Sequence, residues 1–448
     1  MDRAWVLIIF LCIMLHCTQG LAQDCISQED LLNEIRALKK TVADQERRIA
    51  ELEARVPSRE AAPQQVVLAD TTLEDLDRHI DSCILHREGG YQLLGGLELG
   101  AGMTIIGQGT HNANGDSLSE AGEDVADGSY SFDLSIYKAF EEYGAAFALI
   151  EAGEGAGIED ELKLFSNVNF DTTGGDSTLG IVEAWYEQYI GPAALTFGKL
   201  DSRVYIDTNE YANCECTQFI GRMFKNSAAI EFPDNAAGVR LGWTPAGWVD
   251  VDTLIMDADS DWEDIGDEVF FAGQVTVRPA FCERPGRYRL IGWLNDAGHT
   301  RWADETNTKE EAYGFGVSVD QELTPALGLF MRYGWQDPDE RLNGLDDDFS
   351  IEHAWSLGAR LKGAAWGREE DVLACAIGQV VPSDDYKEAD SSREADCEGH
   401  LELYYSFKVN GHCMVTPDLQ IIWNPYGSDA SQGDDTILVG GIRTQIDF

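Results

Sequence analysis

The stretch 201–235 holds the densest mixture of side chains suited to gripping a polar solute. Arg203, Tyr205, Asp207, Asn209, Glu210, Tyr211, Arg222, Lys225 and Asn226 lie within it, with Asp201 at its start and Lys199 just before. Planar carboxylate, amide and guanidinium groups replace the water hydrogen bonds that a hydroxyl-rich molecule gives up, and aromatic faces pack on its C–H surfaces. Upstream, Trp185 is flanked at spacing two by Glu183 and Glu187, which a strand would turn to the same side. That carboxylate pair has the form of a glycosidase couple, yet among 80 acidic residues such pairs arise by chance. Gly-rich phosphate loops, metal-spaced histidine pairs and nucleophile elbows are missing from the sequence. The residues therefore point to binding without catalysis, and no cofactor is expected.

A second constellation runs from Asp257 to Glu268. Asp257, Asp259, Asp261, Glu263 and Glu268 repeat the oxygen-ligand spacing of a calcium loop at positions 1, 3, 5, 7 and 12. Trp262 stands where such loops carry glycine, and strands rather than helices are expected on both sides. The preferred reading is an acidic surface loop, with Asp337 to Asp348 and Asp384 to Glu398 repeating the theme.

The charge restricts the partners. The 448 residues carry 32 Lys+Arg against 80 Asp+Glu, so 32 − 80 leaves −48. Such an excess repels phosphate backbones and anionic membrane surfaces, and nucleic acid is excluded as a partner. At 44% hydrophobic residues and 45 glycines the chain is nonetheless too apolar to be an acidic disordered tail.

The first 22 residues read as a signal peptide: Arg3, an apolar run from Ala4 to Leu15, and Gly20-Leu21-Ala22 before Gln23. Export leaves eight cysteines that could pair. Residues 24–56 read as a coiled coil, with Leu31, Ile35, Leu38, Val42, Gln45, Ile49, Leu52 and Val56 alternating four and three apart. Glu34 faces Lys39 and Arg48 faces Glu53 across a parallel seam. Residues 57–90 read as a linker with a short helix, and 91–448 as the main domain.

From Tyr91 onward the period is two. Leu438, Gly440, Ile442, Thr444, Ile446 and Phe448 share one face of the last segment, opposite Val439, Gly441, Arg443, Gln445 and Asp447. Sixteen such segments can be marked, and their connections alternate between short turns and long acidic loops. A soluble sandwich has no cause for that asymmetry, whereas an outer-membrane barrel has short periplasmic turns, long external loops and an even strand number. The fold class expected is all-β, a 16-stranded antiparallel transmembrane β-barrel preceded by an α-helical coiled coil. Ile442, Ile446 and the terminal Phe448 have the form of the signal read by barrel-assembly machinery. Ile442 is expected to face lipid, and Arg443 to tolerate replacement.

Gly198-Lys199-Leu200-Asp201, Asp207-Thr208-Asn209-Glu210-Tyr211, Phe224-Lys225-Asn226, Phe232-Pro233, Thr416-Pro417-Asp418-Leu419-Gln420 and Asn424-Pro425 resemble the carbohydrate-selective porins of the OprB type. Two departures are Cys214-Glu215-Cys216 inside the stretch 201–235 and Tyr426 where glycine often follows Asn-Pro. The resemblance implies a trimeric porin of the outer membrane, narrowed by the loop at 201–235, that passes sugars or other small hydrophilic solutes. The acidity keeps two alternatives open: a cation-preferring general porin, and a structural protein that tethers envelope layers through its coiled coil.

Overall fold

The computed structural model describes residues 91–93, 96–115, 124–171, 179–302, 310–341, 350–390, 393–429 and 435–448. The expected signal peptide, coiled coil and linker helix lie outside these residues. One sheet contains every strand. Its sixteen long members are β1 (Leu97–His111), β2 (Ala126–Ala139), β3 (Gly144–Glu154), β4 (Leu179–Ile190), β5 (Ala193–Leu200), β6 (Ala236–Ala246), β7 (Val249–Asp257) and β8 (Val269–Val277), followed by β9 (Arg284–Arg301), β10 (Glu310–Glu322), β11 (Leu327–Gln336), β12 (Ile351–Lys362), β13 (Val372–Pro382), β14 (Glu398–Asn410), β15 (Cys413–Trp423) and β16 (Ile437–Asp447). Short pieces at Tyr91–Leu93, Ala280–Phe281 and Glu340–Arg341 pair at the margins.

Each long strand pairs antiparallel with its neighbour in sequence, and β16 returns to β1, from Leu438↔His111 to Asp447↔Gly102. Closure removes the unpaired edges that lipid cannot hydrate. Long connections follow the odd-numbered strands and short ones the even-numbered, as the alternation predicted, with one exception: the β12–β13 connection, 363–371, is slightly longer than the β9–β10 connection, 302–309. The turn between β4 and β5 is only Gly191-Pro192 and that between β14 and β15 only Gly411-His412.

Side-chain parity divides the wall into two surfaces. Ile105, Phe197, Leu241, Ile255, Phe271, Leu290, Met331, Leu357, Leu403, Leu419, Leu438 and Ile442 are exposed on the outside. Their sequence neighbours Thr104, Thr196, Arg240, Arg289, Arg332, Ser356, Glu402, Gln420 and Arg443 are buried inside or half-buried there. A soluble protein would invert this arrangement; an apolar outer band around a polar interior belongs to lipid. Phe448 closes the chain on the outer side, its amide donating to the Ala101 carbonyl at 2.9 Å. Among the described residues Cys216, Cys282, Cys375 and Cys413 are free thiols.

Candidate permeation site

The connection 201–235 does not project outward. It crosses the lumen and is fastened to inward-facing side chains on several strands. Asp207 is the first anchor: its Oδ1 accepts from Arg332 Nε of β11 at 3.0 Å, and its Oδ2 accepts from the Ser227 amide at 2.7 Å. The Arg332 guanidinium also donates to the Phe224 carbonyl at 2.6 Å and the Asp207 carbonyl at 2.9 Å, and is 1% exposed. Asn209 donates to Ser318 Oγ and the Val319 carbonyl on β10. Farther along, Glu402 of β14 accepts from the amides of Ile220 at 2.7 Å and Gly221 at 3.0 Å. Arg443 of β16 donates to the carbonyls of Glu215 and Gln218.

Glycines on the inner wall make the close approach possible. A Cβ at Gly328 would fall 2.2 Å from the Tyr211 ring, and one at Gly334 2.4 Å from Ser227 Oγ. Charge-assisted bonds in a water-poor interior are worth more than at a surface, so the loop is held as part of the wall.

The residues singled out from sequence separate into groups. Glu187, Tyr205, Asn209 and Glu210 line an open cavity. Arg203, Arg222 and Lys225 surround the ring of Phe170, at 5.8, 5.7 and 4.5 Å from its centroid, and Lys225 pairs with Glu215 at 2.7 Å. Phe170 lies in the β3–β4 connection, so these cations fasten two loops together by cation–π attraction. Asp201 pairs with Arg203 at 3.5 Å and caps its backbone amide.

Asp207 and Asn226 are buried within the loop, where the Asn226 side-chain amide makes no hydrogen bond, and Trp185 packs on Phe147 with ring centroids 5.3 Å apart; none of the three lines the cavity. Lys199 departs from its expected place in the constriction. Two residues on from the exposed Phe197, it shares the outward face and donates to the Ile181 carbonyl at 2.9 Å. Of the calcium-spaced residues, Asp257, Asp259 and Asp261 come together, while the Glu268 carboxylate is not among the mutually close oxygens.

Burial, then the charge of Arg203, lowers the Arg222 guanidinium to about 10, still cationic at neutral pH. A hydrogen bond with Cys214, then burial and nearby carboxylates, raises Cys216 well above the usual thiol range. It therefore stays protonated and weakly nucleophilic.

The cavity measures about 410 Å³, between the loop and the half of the wall nearer the short turns. Sequence reading missed most of its charged lining: Arg240, Arg278, Arg287, Arg289 and Arg360, with Asp250 and Asp252. Arg240 pairs with Asp252 and, at 3.2 Å, with Glu187. Arg289 pairs with Asp320 at 2.6 Å, whereas Arg287 lies 4.0 Å from Glu210. Arg360 has no carboxylate at ion-pair distance among the described residues, and its Nε makes no hydrogen bond. The signal for these arginines was in the sequence, since Arg240 stands between Val239 and Leu241 and Arg289 between Tyr288 and Leu290.

A closed barrel with a lipid-facing belt and an inward loop over a charged cavity defines a porin. The model of the family described as "Carbohydrate-selective porin, OprB family" matches residues 128–448, and the chain belongs to that family. No curated protein matches the sequence. Among solved structures, the high-pH structure of Pseudomonas putida OprB is similar, with a TM-score of 0.66 at 18% identity, covering 79% of this chain and 94% of that one. The outer-membrane channel DcaP of Acinetobacter baumannii is also similar, with a TM-score of 0.51 at 12% identity over 80% of this chain and 99% of that one. At these identities the likeness is one of fold. The protein is thus a barrel channel for the passive diffusion of small hydrophilic solutes.

Proposed function

We propose that the channel passes uncharged carbohydrates in preference to inorganic cations. The observation that carries this is the composition of the cavity. Its lining contains six cationic residues (Arg240, Arg278, Arg287, Arg289, Arg360 and Lys408) and five carboxylates (Glu187, Glu210, Asp250, Asp252 and Glu370). The whole chain has 32 cationic and 80 acidic residues. The cavity lining thus does not share the chain's excess of acid and is close to neutral.

Rings of one sign select ions, whereas interleaved guanidinium and carboxylate groups offer paired donors and acceptors to hydroxyls. Tyr205, on whose ring Arg240 lies 4.7 Å from the centroid, adds an aromatic surface for a sugar C–H face. In a salt gradient across a planar bilayer the wild-type reversal potential is expected near zero. Arg360→Glu turns the lining from six against five to five against six, and should shift that potential toward cations. A strongly cation-selective wild type, unmoved by the substitution, would favour the general cation porin.

We further propose export through residues 1–22, an outer-membrane location with residues 24–56 on the periplasmic side as a coiled coil, 57–90 as linker, and assembly of 91–448 as a homotrimer. The heptad seam supports association of several copies, and the resemblance supports three. The apolar alternation ending at Phe448 supports recognition by barrel-assembly machinery through Ile442, Ile446 and Phe448. Deleting Phe448 should lower the yield of heat-modifiable barrel several-fold on gels and leave the conductance of the remaining pores unchanged. No catalytic role is assigned to any residue, and the family and fold are those of channels.

A further inference from the structure

We propose that the β7–β8 connection binds a calcium ion through Asp257, Asp259 and Asp261. Oxygen atoms of these three carboxylates lie within 4.8 Å of one another. Asp257 makes this more than a crowded acidic surface. It is 2% exposed, and neither of its carboxylate oxygens has a hydrogen-bond partner. The Trp262 backbone amide interacts with that carboxylate but falls short of hydrogen-bond geometry. A buried carboxylate facing two others is a destabilised arrangement that a cation would relieve.

The backbone is shaped for the same purpose. Trp262, at the sixth position of the loop, has a φ of 65°, so it takes the left-handed turn that glycine normally supplies there. The Asp261 carboxylate accepts from the Glu263 amide at 2.7 Å, and the Ala258 amide closes the loop on the Glu268 carbonyl at 3.1 Å. Ser260 Oγ donates to the Asp234 carbonyl at 3.1 Å, so the loop is tied to the end of the segment that crosses the lumen.

Three carboxylates with no nitrogen or sulfur donor are a hard-cation set. An open loop in which water completes the shell suits the loose geometry of calcium better than the strict octahedron of magnesium. With the Glu268 carboxylate outside the cluster, the affinity should resemble that of extracellular modules, roughly 10⁻⁴–10⁻³ M.

Trp262, 48% exposed within the loop, provides the probe. Purified full-length protein stripped with a chelator is titrated with terbium, and emission sensitised by tryptophan is read before and after calcium is added. The wild type should show emission displaced by millimolar calcium and not by equal magnesium. Asp257→Asn and, independently, Asp259→Asn should weaken calcium displacement at least tenfold. Trp262→Phe should lose most of the emission while keeping calcium binding in equilibrium dialysis. Asp384→Asn, in a different long connection, should change nothing. Heat-modifiable mobility on gels confirms that each variant is folded. Emission that survives Trp262→Phe, or calcium displacement unaltered in both folded Asp variants, would place the ion elsewhere and overturn the proposal.

Discussion

Arg332→Ala is expected to give a barrel that still assembles but conducts several times more current, with noisier open levels. In the wild type the guanidinium binds the Asp207 carboxylate and two loop carbonyls, and both side chains are 1% exposed. Removing one member of a buried pair leaves an uncompensated charge, at a cost of about 3–5 kcal/mol. The loop can escape that cost by leaving the wall and hydrating Asp207, which opens the lumen. Single-channel recording measures the effect. Asp207→Asn added to Arg332→Gln should recover part of the loss, because neither change then leaves a lone buried charge. A conductance equal to wild type in folded Arg332→Ala would mean that the segment lies outside the current path.

Ile442→Arg should destabilise the barrel by about 2–4 kcal/mol, read as a lowered urea midpoint in detergent or lipid. Ile442 is 57% exposed, in the middle of β16 between Pro417 and Gly107, where its outward side chain meets hydrocarbon. The neighbouring position behaves differently from the sequence-based expectation. Arg443 was expected to tolerate change as a lumen residue; it is instead 1% exposed, with a cation–π contact to Tyr404 and two bonds to loop carbonyls. Arg443→Ala should therefore leave lipid insertion intact while loosening the loop. Equal loss of barrel stability at both positions would mean that inside and outside are assigned wrongly.

The two cases mark how far sequence alone reaches. Period-two alternation is local, so sixteen strands could be marked from it and the two faces of β16 assigned; the full reach of β9 to Arg301 was not legible, because its register with β10 shifts between Asn295 and His299. The crossing loop was recognisable by length and composition. Which of its residues would line the cavity was not, because that depends on partners such as Arg332, 125 positions from Asp207, and Glu402, 182 positions from Ile220. Lys199 illustrates the opposite error: its parity with Phe197 was legible, but its place beside the solute-binding segment suggested the lumen. Trp262 is not the residue type a calcium-loop turn favours, yet the loop takes the left-handed turn without glycine.

The charge of −48 first raised a doubt about carbohydrate as the solute. The near balance of the cavity lining does not share that excess. The most direct measurement is osmotic swelling of liposomes containing the purified protein, comparing a neutral hexose with a sugar acid and an amino sugar of similar size. The neutral sugar should enter fastest, and the two charged ones should be slowed to a comparable degree. Entry led by the amino sugar, or by potassium salts with all sugars excluded, would contradict the account.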